Sequence, residues 1–152
     1  MERNIMKIAI ANDHAGTEYK KVIKAHLEEL GHTVENFGTD ETTSVDYPDY
    51  AEKVANAVTN GGYELGILIC GTGVGMSIAA NKVNGVRASL CGDCFSAEMT
   101  RRHNDSNILC LGARVLGIDL ALRIVDTYVD TPFDGGRHAR RVAKITALEE
   151  KN

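Results

Sequence analysis

Short runs of consecutive apolar residues alternate along the chain with longer segments in which apolar residues recur at helical spacing. The apolar runs predict five strands, at residues 8–11, 33–36, 65–70, 86–90 and 108–111. The amphipathic segments predict six helices, at residues 17–30, 47–58, 76–82, 96–103, 117–128 and 137–150. This alternation indicates a single α/β domain, a three-layer α/β/α sandwich around a parallel sheet.

The composition narrows the class of protein. The 152 residues fit one domain, which we assign to residues 1–152, with residues 1–5 as a disordered tail. The formal net charge of −4 argues against a general nucleic-acid binder or a binder of acidic membranes. No apolar run approaches the ~18 residues of a membrane span, and the first apolar run is too short for a signal peptide. We therefore expect a cytoplasmic protein whose four cysteines are thiols.

A glycine loop, Gly71–Thr72–Gly73–Val74–Gly75, follows the most apolar strand and leads into a helix. Backbone N–H groups that no side chain covers, together with the positive end of a helix, can bind an anion. The alternative is a tight turn in which glycine only satisfies the backbone angles. The pattern is not a complete dinucleotide fingerprint, because Met76 stands where the third glycine belongs.

Cys70 lies at the start of this loop, and two interpretations remain open for it. Cysteine is among the most frequently buried residues, so one interpretation is that Cys70 is a packing residue. The loop N–H groups would also favour a thiolate over a thiol, which would make Cys70 a candidate base or nucleophile.

Charged residues near the ends of other predicted elements are further candidates. Asp13 and His14 follow the first strand, and His103 precedes the fifth; each could instead be a helix cap or a surface residue. Arg137 and Arg141 lie about 40° apart around the last helix, where an anion would relieve their mutual repulsion. A solvated basic face explains them equally well.

Cys91 and Cys94 form a C-x-x-C pair after the fourth strand. No second cysteine or histidine pair completes a zinc site, so we expect no metal here. A redox dithiol is the less favoured interpretation, and we expect both residues to pack in the core.

The glycine loop and its continuation to Lys82 resemble the type B ribose-5-phosphate isomerases, in the sugar-phosphate isomerase family that includes galactose-6-phosphate isomerase. The resemblance extends from Met6 to Glu149. Its supporting motifs stand at residues 12–16, 45–48, 103–105, 111–114 and 135–141. The resemblance implies a Rossmann-like sheet of five parallel strands in the order 2-1-3-5-4. It also implies a homodimer or dimer of dimers with shared sites, and an isomerase that interconverts ribose 5-phosphate and ribulose 5-phosphate through an enediolate, without metal or cofactor.

The resemblance also implies roles for individual residues. Cys70 matches the base that moves a proton between two sugar carbons, and His103 matches the acid/base that opens the sugar ring. The remaining matches are contacts to the phosphorylated sugar: Asp13, His14, Gly71, Thr72, Gly73, Val74, Gly75, Asn104, Arg114, Arg137 and Arg141. The resemblance also implies that Tyr47 lines the substrate pocket. One branch of the family has a glutamate base at the position that Met76 occupies in this chain. Because a methionine side chain cannot titrate, the resemblance implies that the base here is Cys70.

Three alternatives remain at this point. The substrate could be a six-carbon sugar phosphate such as allose or galactose 6-phosphate, because one more carbon changes pocket length rather than the catalytic groups. The glycine loop and Asp93 could instead bind a dinucleotide, although the loop follows the third strand rather than the first. The chain could also be a sugar-phosphate sensor that binds without turnover.

Overall fold

The computed structural model describes residues 4–151. Its strands are β1 (Lys7–Asn12), β2 (Thr33–Asn36), β3 (Leu65–Cys70), β4 (Ala88–Leu90) and β5 (Ile108–Gly112). Its α-helices are α1 (Thr17–Glu29), α2 (Tyr47–Asn60), α3 (Val74–Ala80), α4 (Cys94–Asn104), α5 (Ile118–Asp130) and α6 (Arg137–Ala147). Of the expected disordered tail, residues 1–3 lie outside the described residues, and Asn4 and Ile5 precede β1 without helix or strand structure.

All strand pairs are parallel, and the order is β2-β1-β3-β5-β4, which confirms the expected topology. Helices α1, α4 and α5 cover one face and α2 and α3 cover the other. Burial on both faces explains why β3 consists of six buried residues in succession. The sandwich predicted from the apolar runs is therefore present.

Caps and turns account for the places where element boundaries differ from the sequence prediction. Helix α4 begins at Cys94, before the predicted 96, because the Asp93 side chain accepts a hydrogen bond from the Ser96 N–H at 2.7 Å. Helix α3 begins at Val74 rather than 76, after Gly73 with a φ of +82°. Strand β4 begins at Ala88 rather than 86, because Val86 closes a turn onto Val83. The last helix ends at Ala147, and a 3-10 turn continues to Lys151.

The parallel topology gives the sheet a carboxyl edge, where the strands end, and an amino edge, where they begin. Helix α4 follows β4 and leads back to β5, so its last turn lies near the amino edge. Helix α6 lies at the same edge: the Asp134 N–H donates to the Arg102 carbonyl, and Glu149 accepts from the Gly85 N–H just before β4. Within residues 4–151, no helix has both the length and the apolarity needed to cross a bilayer.

Candidate active site

Cys70 ends β3 at the carboxyl edge of the sheet. Its side chain is nearly buried, with 5% of the residue exposed, and packs in the core beneath α2 and α3. The sulfur accepts a hydrogen bond from the Gly73 N–H at 3.1 Å. This hydrogen bond places the sulfur against the glycine loop, as the interpretation of Cys70 as a reactive group requires.

The glycine loop is held by backbone contact with its neighbour, the loop at residues 112–114. The Ala113 N–H donates to the Cys70 carbonyl and the Arg114 N–H to the Gly71 carbonyl, both at 2.9 Å. A Cβ added to Gly112 would lie 2.6 Å from the Thr72 carbonyl oxygen, so only glycine permits this approach.

This packing leaves donors available at the loop. Within residues 4–151 the N–H groups of Gly71 and Thr72 donate to no protein acceptor. The Val74 N–H donates to the Thr72 hydroxyl at 3.2 Å, and the first-turn N–H groups of α3 follow directly. The loop thus presents unpaired donors beside the Cys70 sulfur, as an oxyanion site requires.

Asp13 and His14 lie at the same edge because β1 is the neighbour of β3. The Asp13 N–H donates to the Ile69 carbonyl at 3.1 Å, and its Oδ1 accepts from the Ala15 N–H at 2.9 Å. His14 Nδ1 accepts from the Val45 N–H at 3.2 Å. Because Nδ1 is an acceptor, neutral His14 carries its proton on Nε2, where it can be donated to a ligand.

Arg114 and Tyr47 complete the carboxyl-edge group. A guanidinium nitrogen of Arg114 lies 3.4 Å from the position that a Gly71 Cβ would take, so a positive charge stands over the glycine loop. The Tyr47 ring covers Gly75 so closely that a Cβ there would lie 2.6 Å from Cζ. Two of the residues singled out from the sequence thus contact the loop at its two ends.

A second group of predicted residues lies at the amino edge. His103 is in the last turn of α4, and its ring stacks on that of His138 with centroids 4.1 Å apart and an interplanar angle of 9°. Desolvation, followed by the charges of His103, Arg137 and Arg141, lowers the pKa of His138. His138 is therefore held towards its neutral form beside His103. His138 belongs to the motif at residues 135–141, but the resemblance implies no role for it.

Asn104 directly follows His103, the charges of Arg137 and Arg141 act on His138, and all three residues are exposed. Neither arginine forms an ion pair within residues 4–151. Asp134 brings a carboxylate within 4.8 Å of the two imidazoles, a combination that can ligate a metal ion. Arg102 lies 3.3 Å from Asp134, however, and so much positive charge favours an anion over a cation here.

The structure thus divides the predicted site residues into two groups at opposite edges of one sheet. Cys70 ends β3, whereas the loop that follows His103 and Asn104 leads into the start of β5. Six residues of extended strand span about 20 Å, which no side chain bridges. The two groups therefore do not form one site within a single chain.

The remaining candidates pack in the core. Cys91 is buried and Cys94 half-buried, and both contact the apolar cluster beneath α1, α4 and α5. Burial, with a smaller effect of Asp93, raises the pKa of Cys91 to about 11. This thiol is protonated at neutral pH, in keeping with the packing role expected for it.

A family model, relatives of known name and solved structures each match most of this chain. The family model described as Ribose/Galactose Isomerase matches residues 8–145. Ribose-5-phosphate isomerase B of Escherichia coli is 50% identical over 95% of this chain and 97% of its own. D-erythrulose-4-phosphate isomerase of Pectobacterium atrosepticum is 42% identical over 97% of each chain. The solved structure of Clostridium thermocellum ribose-5-phosphate isomerase B is 55% identical, with a TM-score of 0.94 over 96% of this chain and 99% of that one.

Proposed function

The chain belongs to the ribose/galactose isomerase family, and we propose that it interconverts ribose 5-phosphate and ribulose 5-phosphate by proton transfer. The observation that carries the proposed chemistry is the Cys70 sulfur at the mouth of a loop with unpaired N–H donors. A base beside preoriented donors is the arrangement that stabilises an enediolate.

The proton transfer assigned to Cys70 is balanced as follows. The thiolate takes the proton from C2 of the open-chain aldose, and the electron pair moves to the aldehyde oxygen on C1. The N–H groups of Gly71 and Thr72 bind the resulting oxyanion. The hydroxyl proton on O2 then moves to O1, and the Cys70 thiol returns its proton to C1, which gives the ketose and restores the thiolate.

Ring opening and binding of the sugar are assigned to the remaining residues. His103 removes the proton from O1 of the furanose and passes it to the ring oxygen, which opens the ring to the aldehyde. The Asp13 carboxylate accepts hydrogen bonds from sugar hydroxyls. The side-chain amide of Asn104 can both donate hydrogen bonds to them and accept hydrogen bonds from them. Arg114, Arg137, Arg141 and the Nε2–H of His14 offer the donors and charge that suit a phosphate dianion.

We further propose that each site is shared between two chains of a homodimer. The support is the separation described above: the Cys70 group and the His103 group lie about 20 Å apart in one chain, yet the reaction needs both. In a two-fold dimer the amino edge of each chain can face the carboxyl edge of its partner, which gives two equivalent sites.

Exposed apolar residues at both edges are consistent with such a dimer. Ile145 and Leu148 are exposed at the amino edge, on or just beyond α6, and Val74, Ile78 and Leu90 are exposed beside the glycine loop. In a two-fold interface, the apolar residues at the amino edge of each chain would contact those beside the glycine loop of its partner, so the same contact forms twice. Sedimentation of the purified protein at micromolar concentration tests this, and a monomer with full activity would rule out a shared site.

Turnover of ribose 5-phosphate, followed by the appearance of ribulose 5-phosphate in a coupled assay, tests the activity. Cys70→Ala should lower kcat by about 10²- to 10⁴-fold while leaving competitive inhibition by inorganic phosphate intact. Cys94→Ala is the matched control and should retain activity. Near-normal turnover by Cys70→Ala would place the base elsewhere, and turnover of allose 6-phosphate or erythrulose 4-phosphate alone would overturn the pentose assignment.

A further inference from the structure

Lys20 is a buried cation that the proposed reaction does not use. It lies in the first turn of α1 and is 1% exposed. The positive end of the helix dipole and the loss of water both disfavour a cation at this position. Its Nζ donates to the Thr39 carbonyl at 2.7 Å and pairs with the Asp40 carboxylate. Lys20 is therefore fixed to one irregular segment of the chain.

That segment, residues 37–46, connects β2 to α2 and is called the strap below. It has no helix or strand structure. Asn12 Nδ2 donates to the Thr39 carbonyl at 3.0 Å, and the Thr17 hydroxyl donates to the Glu41 carbonyl at 2.6 Å. A Cβ on Gly38 would lie 2.0 Å from Asn12 Oδ1, so the strap backbone rests directly on the end of β1. Buried polar groups thus hold the first half of the strap.

The second half of the strap reaches the proposed active site. The Val45 N–H donates to His14 Nδ1, the hydrogen bond that leaves the Nε2–H of His14 for a ligand. Tyr47, directly after the strap, covers Gly75 of the glycine loop. The strap therefore connects the Lys20 anchor to two components of the proposed substrate pocket.

We propose that Lys20 is a positioning residue for substrate phosphate. By binding Thr39 and Asp40, Lys20 fixes the position of the strap. The strap in turn holds His14 with Nδ1 as acceptor and Nε2–H directed to the phosphate. Lys20 touches no substrate itself. This inference rests on the proposed function, because it concerns the phosphate contact assigned there to His14.

The kinetic test is Lys20→Met, which keeps the length of the side chain and removes its charge. We expect KM for ribose 5-phosphate, and the inhibition constant of inorganic phosphate, to rise about tenfold with kcat within about twofold. Lys20→Arg should recover part of the affinity. Lys24→Met is the control on the same helix, since its side chain pairs with Glu28 one turn away, and it should leave KM unchanged.

A purely structural role predicts a different result: a lower unfolding temperature with KM unchanged for the folded fraction. That outcome would overturn the proposal. If Lys20→Met does not fold, Asp40→Asn decides in its place, because the Asp40 side chain is 69% exposed and its loss weakens the same anchor. An unchanged KM in folded Asp40→Asn together with an unchanged His14 tautomer would also overturn it.

A second readout does not depend on activity. Nitrogen NMR of the ¹⁵N-histidine-labelled protein, assigned with His14→Gln, should show His14 protonated on Nε2 in the wild type and a mixture of tautomers in Lys20→Met. Identical tautomers in both would refute the role of Lys20. If the wild type binds phosphate but turns over no sugar phosphate, the proposed isomerase fails, and the tautomer comparison still decides whether Lys20 positions His14.

Discussion

If each site is shared between two chains, as proposed, mixtures of inactive variants should regain activity in a predictable proportion. Cys70→Ala lacks the proposed base at the carboxyl edge, and His103→Ala lacks the proposed ring-opening group at the amino edge. Each homodimer should be nearly inactive towards the cyclic substrate. In a mixed dimer one site contains both substitutions, and the other contains an intact Cys70 from one chain and an intact His103 from its partner.

The size of the recovery follows from the pairing. Equal amounts of the two chains that pair at random give about half mixed dimers, each with one intact site of two, so about a quarter of wild-type turnover should return. Differently tagged chains, expressed together and separated by their tags, allow the mixed dimer to be assayed alone; it should reach about half of wild-type turnover per dimer.

A matched pair controls for non-specific rescue. His103→Ala and Arg137→Ala both alter the amino edge, so each site of their mixed dimer carries one substitution and no activity should return. Cys70→Ala mixed with Arg137→Ala should recover like the first pair. Purified mixed dimers of Cys70→Ala and His103→Ala without activity would refute the shared site and require both residues to act within one chain.

Three further predictions concern stability and thiol reactivity. Hydrogen bonds from Lys20 and Asn36 lower the pKa of Asp40, so the stability that Asp40 contributes is present at neutral pH and is lost as the pH falls through that lowered pKa. In urea unfolding, Asp40→Asn should therefore make the free energy of unfolding depend less steeply on pH on the acid side. An unchanged slope of the free energy of unfolding against pH would contradict this. Gly112→Ala should lower the free energy of unfolding by about 1–3 kcal/mol because its Cβ would meet a loop backbone. Gly92→Ala, with open space around it, should stay within about 0.5 kcal/mol, and equal effects would disprove the close approach. At pH 8 a thiol reagent should label Cys94 before Cys91, whose pKa of about 11 keeps it protonated, and equal rates by peptide mass spectrometry would contradict the effect of burial.

The fold could be predicted largely from apolar runs because a parallel sheet covered on both faces needs them. Strands β2 and β3 have the predicted bounds, Thr33–Asn36 and Leu65–Cys70. Helices α3 and α4 begin two residues before the predicted positions, because a glycine of positive φ and an aspartate cap set their starts rather than apolar spacing. Periodicity carries no information on such local contacts.

The candidate site was predictable to different depths. Asp13 follows β1 and Cys70 ends the neighbouring β3, so their common edge could be expected from the sheet order that the resemblance implies. The contact between Val45 and His14, and the anchor at Lys20, depend on the path of an irregular segment, which no spacing rule describes. The stacking of His138 on His103 joins two helices that are far apart in sequence, and composition gives no indication of it.

Helix α6 has a consequence for the order in which the molecule is built. None of its residues is buried, and Ile145 and Leu148, the latter just beyond its end, are each about half exposed. The five strands and the other helices can complete their cores without it. Acquisition of the folded sheet and firm seating of the C-terminal helix are then separable events. In the proposed dimer, association of two chains is then the step that fixes the arginines of α6, which we propose to bind phosphate.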